Sequence, residues 1–478
     1  MQLLSRVLSY FLYIQGLRAM VHDQRSAILY QSADREITLI DIPTSIGIAQ
    51  GRSDTLLSTP PLEEPIQLNE EYQPRAARTN RIISADTAHH EAYKSLIQQA
   101  LLDIRAHIPG SWCASRQVFP NLSRYGKGAT RTNDLEKELE QRFREWVTGG
   151  ESKIDDTSFD FQTMMASLGA PEVQPATAGN SAQHWVISCT ASGDTDLHDG
   201  VTAEWSPAFY NAESQSLNLT IARAKANEEQ ESRAYHFTVP PLSAFFLSDC
   251  EHPDSFRTFF RDVTNEHSLP RHFDLVLLDP PWPNRSAKRK GAYEQTGGMP
   301  YMKRMLLKMD VDNYLEHNAL VGIWITNKSA LRDHVLAPGG LFETWNVGLV
   351  EEWIWIKTTS KGEPMFDIDD AMRKPYEVLL LGRAAPNSWT TMTHASNPRK
   401  RVVAAVPDIH SRKPCLKDLL EPFMPDPTDY SALEIFARYL VTGWMSWGNE
   451  VLKYNSDIYW ANGMDDGTAR EGRLCAIS

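Results

Sequence analysis

No Cys-x-x-C pair and no cluster of histidines at ligand spacing occurs in this chain, whose five cysteines (Cys113, Cys189, Cys250, Cys415 and Cys475) lie far apart. A structural zinc site and a disulfide framework are therefore not expected, and a reducing compartment is. Also missing is any G-x-G-x-x-G stretch. Gly339-Gly340 follows a helix candidate and not a strand, which argues against nicotinamide and flavin chemistry. No apolar run is long enough to span a bilayer; the longest near the start, Val7 to Ile14, is too brief. The first 22 residues contain no acid, but two arginines support a transit peptide only weakly, and Met20 reads equally well as a second start. No internal repeat is visible.

A positive charge balance is lacking too: 48 basic against 61 acidic residues give −13, which by itself disfavours a nucleic-acid partner. What remains is a 478-residue chain with 42% hydrophobic residues and 13 tryptophans, long enough for two or three globular domains. Residues 1–86 read as an N-terminal segment ending in a flexible linker, since 52–86 are rich in Pro, Ser and acids with little apolar periodicity. Residues 87–239 read as a middle helical and β-rich domain. Tyr93, Leu96, Ile97, Leu101, Ile104 and Ile108 recur at helical spacing, and a charged helix is expected over Asn133–Val147. His184–Cys189, Ser216–Ala222 and Tyr235–Val239 alternate as strands.

From 240 to 478 the pattern becomes continuously apolar strands alternating with helices: Phe273–Asp279, Ala319–Thr326, Leu349–Thr358, Tyr376–Gly382 and Arg401–Ala405. Such runs predict an α/β domain, a mostly parallel sheet with helices on both faces and ligands beyond the carboxyl ends of its strands.

At one such end stands Asp279-Pro280-Pro281-Trp282. On the plainest reading the two prolines simply stop a strand, because neither donates to a ladder. A carboxylate, a rigidly held carbonyl and a flat aromatic at the mouth of a sheet also make a receptor for a planar amino group. Hydrogen bonds from an exocyclic amine to Asp279 and to the Pro280 carbonyl draw its nitrogen towards a more nucleophilic geometry, and Trp282 stacks on an extruded base.

That motif resembles the amino-group methyltransferases that use S-adenosylmethionine, and among them the MT-A70 family of N6-adenine enzymes. The resemblance runs from about Pro240 to Tyr454 over several blocks: Leu278-Asp-Pro-Pro-Trp-Pro-Asn-Arg-Ser286, Trp324-Ile-Thr-Asn327, Glu351-Glu-Trp-Ile-Trp-Ile-Lys357, Lys374-Pro-Tyr-Glu377, His410-Ser-Arg-Lys-Pro414, Leu433-Glu-Ile-Phe-Ala-Arg438 and Trp447-Gly-Asn-Glu450. It looks closest to the methyltransferase-like 4 branch. The resemblance implies a Rossmann-like class I fold, with Asp279 as the catalytic acid and Pro280, Pro281 and Trp282 completing its pocket. It implies cofactor contacts from Asp249 and Cys250 at the adenine, Lys413 at the carboxylate, and Arg438, Asn449 and Glu450 around the ribose. Arg412 departs from the family's usual histidine, and Tyr439 from its usual asparagine. Read without the other blocks, Leu433–Leu440 is an amphipathic helix with a solvated Arg438.

The implied substrate is a nuclear RNA adenosine, notably 2′-O-methyladenosine in U2 spliceosomal RNA. DNA adenine is the alternative substrate, and a catalytically inactive RNA-binding scaffold is the alternative of a different class. The nucleus is the expected location, with mitochondrion or cytoplasm as alternatives; no membrane contact is expected, and a protein partner for the middle region is possible but not required. Local charge softens the objection raised by −13. Pro283–Lys308 carries seven basic residues against one acid, and Ser396–Lys417 six against one. Asn284, Arg285, Lys288, Arg289, Lys290 and Tyr293 are the expected substrate contacts, combining phosphate-binding cations with an amide and a stacking ring. Lys288–Lys290 and Arg399–Arg401 also read as nuclear-import signals or solvated loops. Asp367, Asp369 and Asp370, with no histidine beside them in sequence, read as a solvated loop, and no metal is expected.

Overall fold

The computed structural model describes residues 25–66, 83–119, 185–191, 201–204, 206–223, 234–283, 298–370, 374–409 and 412–461. Its strands in chain order are β1 (Ile28–Gln31), β2 (Ile37–Ile40), β3 (Trp185–Ala191), β4 (Val201–Glu204), β5 (Ala208–Tyr210), β6 (Leu217–Arg223), β7 (Ala234–Val239), β8 (Ala244–Phe246), β9 (Phe273–Leu278), β10 (Leu315–Thr326), β11 (Val347–Lys357), β12 (Tyr376–Ala384), β13 (Arg399–Ala405), β14 (Ala432–Ile435) and β15 (Met445–Trp447). Eleven of them form one sheet in the order β1-β2-β13-β11-β12-β10-β9-β14-β15-β8-β5, and β4-β3-β6-β7 form a second. In the large sheet β8, β15, β14, β9 and β10 are successively parallel, and only β1, β5 and β12 run against the rest. This is the expected α/β, Rossmann-like arrangement.

The continuous apolar runs are explained by burial on both faces. Along β9, Val276 and Leu278 enter one core while Leu275 and Leu277 enter the other. The first core is covered by the helices Ile83–His107, Pro253–His267, Gly298–Lys308 and Ser329–Leu336, the second by Ile42–Ala49 and Lys417–Leu420. Helix Ile83–His107 contributes Tyr93, Ile97, Ala100, Leu101 and Ile104, one stripe at helical spacing. Each of its larger side chains is worth about 1.5–3 kcal/mol of burial. Its Tyr93 hydroxyl donates to buried Glu352 of β11 at 2.8 Å.

Several expectations meet a different arrangement. The break expected at residue 86 does not interrupt the large sheet, because β2 pairs in parallel with β13 and the helix Ile83–His107 packs on the same sheet. Residues 52–66 are packed, not linker-like: Leu56, Leu57 and Ser58 are buried, and Leu57 N–H donates to the Tyr459 carbonyl at 2.8 Å. Composition misled because this stretch is held by scattered polar contacts instead of a periodic apolar face. β5, expected within the middle region, extends the large sheet through β8, while β3, β4, β6 and β7 do form the expected small β unit. Leu433–Leu440 is a strand followed by a turn, not an amphipathic helix. The helix expected over Asn133–Val147 lies outside the described residues.

Candidate active site

The carboxyl ends of β8, β15, β14, β9 and β10 converge on one edge, and each delivers part of a cleft. β9 stops because Pro280 and Pro281 have no N–H; its last rung is the Asp279 N–H donating to the Ile435 carbonyl at 3.4 Å. The Pro280 carbonyl accepts the Trp282 N–H at 2.8 Å, and Trp282 Nε1–H donates to the Trp324 carbonyl of β10 at 2.6 Å. The indole is thus fixed to β10 at the mouth of the sheet.

Lys413 Nζ donates to both Asp279 oxygens, at 2.8 and 2.9 Å, and lies 3.2 Å from Glu377 Oε2. Glu377 is also bound by Lys357 Nζ at 2.6 Å. Burial works to raise the Glu377 pKa, but the two ammonium groups outweigh it and hold the carboxyl far below its ordinary range. Burial likewise works to discharge Lys413, and Asp279 and Glu377 outweigh it, so its pKa is raised. Aromatic faces complete the setting: Lys413 Nζ lies 5.2 Å from the Trp324 ring and Lys357 Nζ 4.7 Å from the Trp355 ring.

After β14 the chain turns sharply at Phe436, which adopts the left-handed region at φ 63°. That conformation costs a non-glycine residue about 1–2 kcal/mol and persists because its surroundings fix it. Ala437 N–H donates to the Trp447 carbonyl at 3.1 Å, and the Arg438 carbonyl accepts from Tyr454 N–H at 2.9 Å. Gly448 lies so close that a Cβ there would be 3.0 Å from the Ala437 oxygen. The turn presents Arg438, whose Nε is 3.2 Å from Glu450 Oε2. Glu434, one residue inside β14, lines the cavity with Asp279; burial and then the Asp279 charge push its carboxyl up to about 8.

Two adjoining hollows meet at Asp279, Phe436 and Arg438. The larger, open to solvent, is bounded by Asp249, Cys250, Tyr301, Asn449 and Glu450. The smaller is bounded by Trp324, Arg412, Lys413, Glu434 and Tyr439. Together they suit a small, elongated ligand carrying both apolar and charged parts. Every residue expected at the cofactor (Asp249, Cys250, Asp279, Lys413, Arg438, Asn449 and Glu450) borders one hollow or the other. Cys250 is buried and its thiol is pushed up by burial, so it is inert packing there and not a nucleophile.

Glu377, Trp324, Lys357 and Glu434 all stand within the motif blocks, which by themselves assign none of them a role. The signal available was the Lys374–Glu377 block itself, whose glutamate has no reason to sit in a core strand without a cationic partner. The expected substrate contacts Asn284, Arg285, Lys288, Arg289, Lys290 and Tyr293 lie outside the described residues. Tyr301, their aromatic neighbour in sequence, donates to Glu251 Oε2 at 2.6 Å at the rim of the larger hollow.

Most of the second basic run is engaged in pairs within the chain. Arg399 binds Glu36, Arg401 is buried against Glu351, Arg412 is buried against Asp408, and Lys413 is held by Asp279 and Glu377. Lys417 Nζ is spent on the Thr442 carbonyl and Glu421. The acidic loop also gains the histidine it lacks in sequence: His90 of the helix Ile83–His107 contacts Asp369 at 3.3 Å, and Lys94 binds the same carboxylate at 2.6 Å. Lys374 Nζ stands 3.1 Å from the same imidazole, so cations already serve this cluster. No helix among the described residues is long and apolar enough to cross a membrane.

Comparison with known proteins agrees with this geometry. The MT-A70 family model matches residues 273–450. The N6-methyladenosine RNA methyltransferase MTA1 of Cryphonectria parasitica is 42% identical over 189 residues, 39% of this chain and 54% of that protein. The N(6)-adenine-specific methyltransferase METTL4 of Homo sapiens is 32% identical over 232 residues, 47% and 45% respectively. A DNA N6-methyl methyltransferase of Caenorhabditis elegans is 31% identical over 230 residues, 48% and 56%. The chain spans about half the length of the curated relatives it matches. The segment 273–450, which holds the Asp279 turn, the Lys413 pair and the Phe436–Arg438 turn, is thus the part of this chain that carries the likeness to the MT-A70 family.

Proposed function

We propose that the chain is an N6-adenine methyltransferase that uses S-adenosylmethionine and acts on RNA, with 2′-O-methyladenosine of U2 spliceosomal RNA as the specific target and the nucleus as its place of action. The observation that carries this reading is the position of Asp279: a carboxylate held by Lys413 at the junction of two hollows, beside an indole fixed at the mouth of the sheet.

The larger hollow fits the adenosine part of the cofactor, with Asp249 at the base and Arg438, Asn449 and Glu450 about the ribose. The smaller fits its charged amino-acid end. Its lining supports that fit, because the cations Lys413 and Arg438 border it beside Asp279. The cofactor supplies an electrophilic methyl group when bound. Asp279 and the Pro280 carbonyl accept the two N–H groups of the adenine amine and hold its nitrogen in line, while Trp282 stacks on the flipped base. The N–C bond would form as the methyl–sulfur bond breaks with its electron pair passing to sulfur; the nitrogen would gain positive charge, and the Asp279 carboxylate favours that charge electrostatically. The surplus proton then leaves the nitrogen towards solvent.

DNA is the second substrate reading, supported by the nematode relative's name. A set of matched RNA and DNA oligonucleotides, with and without 2′-O-methyladenosine, assayed for methyl transfer and digested to nucleosides for mass analysis, separates the readings. Highest turnover on the 2′-O-methylated RNA is expected; equal turnover on DNA would overturn the RNA assignment. Binding of cofactor with no transfer to any oligonucleotide would favour the inactive scaffold.

A further inference from the structure

Lys413 Nζ donates to both oxygens of Asp279, at 2.8 and 2.9 Å, and stands 3.2 Å from Glu377 Oε2. An ammonium has three N–H groups and no more, so two carboxylates of this chain already take them all. The lysine is not sealed in: its side chain is 15% exposed, and it borders the smaller hollow together with Asp279. A further anion entering that hollow can therefore be served only by release of one of the present partners.

The place of the ammonium also matters for the reaction. While it lies across both Asp279 oxygens it competes with an amine N–H for the same acceptors. Its charge is the larger obstacle, because a cation this close to Asp279 repels positive charge on an amine nitrogen nearly as strongly as the carboxylate attracts it. Glu377 offers the ammonium a second place. It lies in β12 between its cross-strand partners Thr326 of β10 and Trp355 of β11, and Lys357 Nζ binds it at 2.6 Å, so it stays fixed when its other cation turns. Asp279 is the partner that can be given up, since it stands at the junction of the two hollows, where the substrate's amine N–H replaces the lost hydrogen bond.

Resting on the cofactor reading above, we infer that Lys413 is a latch on the amine receptor: it caps Asp279 until the carboxylate of the cofactor's amino-acid end draws it off, with Glu377 as the positioning residue about which the ammonium turns. Adenine is then received only after the cofactor has bound. Cofactor and base are coupled through one lysine, and by linkage each tightens the other by the same factor.

Fluorescence anisotropy of the full chain with two oligonucleotides tests this, one carrying the target adenine and the other carrying purine, which lacks the amine, at the same position. With S-adenosylhomocysteine the preference for adenine is expected to rise about 10–100-fold, the range for a hydrogen bond to a charged group. The decarboxylated analogue of that ligand is expected to leave the preference as it is with no ligand. Lys413→Met removes the latch and should show the raised preference without any ligand, and Glu377→Gln, which keeps the shape but not the charge, should show a smaller rise. An equal preference with and without S-adenosylhomocysteine, or an equal rise with the decarboxylated analogue, would overturn the inference while leaving the cofactor reading intact. Should Lys413→Met not fold, the comparison of the two ligands on the native chain decides alone. Calorimetric titration of the native chain keeps the readings apart: no heat with S-adenosylhomocysteine would overturn the cofactor reading itself, and this inference with it.

Discussion

Replacing Asp279 with asparagine separates the electrostatic role of this residue from its shape. The amide keeps the size and one acceptor oxygen, so the Trp282 and Lys413 positions change little. Removing one partner of a fully buried ion pair costs about 3–5 kcal/mol. Here the side chains are 23% and 15% exposed, and Lys413 retains Glu377 at 3.2 Å, so a stability loss of about 1–2 kcal/mol is expected. The effect on rate is larger. A full charge about 4 Å from the nitrogen, at an effective dielectric of about 20, favours the developing cation by about 4 kcal/mol, and its loss slows transfer by roughly 10²–10³-fold. Single-turnover methylation of an adenine oligonucleotide at saturating cofactor reads this step, and titration with S-adenosylhomocysteine confirms that the variant is loaded. A variant that is loaded, folded and as fast as the native chain would refute the assigned role.

Other expectations concern the supports of the site. Glu434 ionises only near pH 8, against an ordinary 4.5, so between those values the folded chain holds a proton that the unfolded chain has lost. Stability should therefore fall as pH rises through that window, and Glu434→Gln should flatten the slope in urea unfolding followed from about pH 5 to about pH 9. Gly448→Ala pushes a methyl against the Ala437 carbonyl and displaces the Arg438 turn, so the dissociation constant for S-adenosylhomocysteine should rise about tenfold with a melting temperature lowered by only a few degrees. Tyr93→Phe strips a 2.8 Å hydrogen bond from buried Glu352 and should cost about 1–2 kcal/mol in denaturant unfolding without changing methyl transfer. Arg399→Gln, in the basic run that is spent on internal pairs, should leave oligonucleotide affinity and its salt dependence unchanged in fluorescence anisotropy.

Sequence alone was enough to place Asp279 at a strand end, because unbroken apolar runs and a double proline each have a single physical meaning in a sheet. It was also enough to bring Asp249, Cys250, Asp279, Arg438, Asn449 and Glu450 to one edge, since they fall just after β8, β9, β14 and β15, the strands that come together there. The ion pairs were less legible. Lys413 and Glu377, or Arg412 and Leu57, are brought together by topology, and no local pattern marks a lysine as serving a carboxylate in place of a phosphate. Counting Arg399, Arg401, Arg412 and Lys413 as a basic surface failed for that reason: net charge along a segment ignores partners that arrive from elsewhere in the chain. The loop 52–66 was misjudged for the converse reason, since its buried Leu56, Leu57 and Ser58 are too few to show a period.

The parallel pairing of β2 with β13 sets a lower limit on what can be cut away. A fragment trimmed to the family-matched segment 273–450 would strip the outer neighbour from β13, whose Val402, Val403, Ala404 and Ala405 are buried. The result is a bare, greasy sheet margin that invites chain-to-chain stacking. Such a fragment would also lack the Leu57 carbonyl to which buried Arg412 donates, and is expected to be both less stable and poorly soluble. The folded unit that carries the Asp279 turn reaches back to β2, which begins at Ile37.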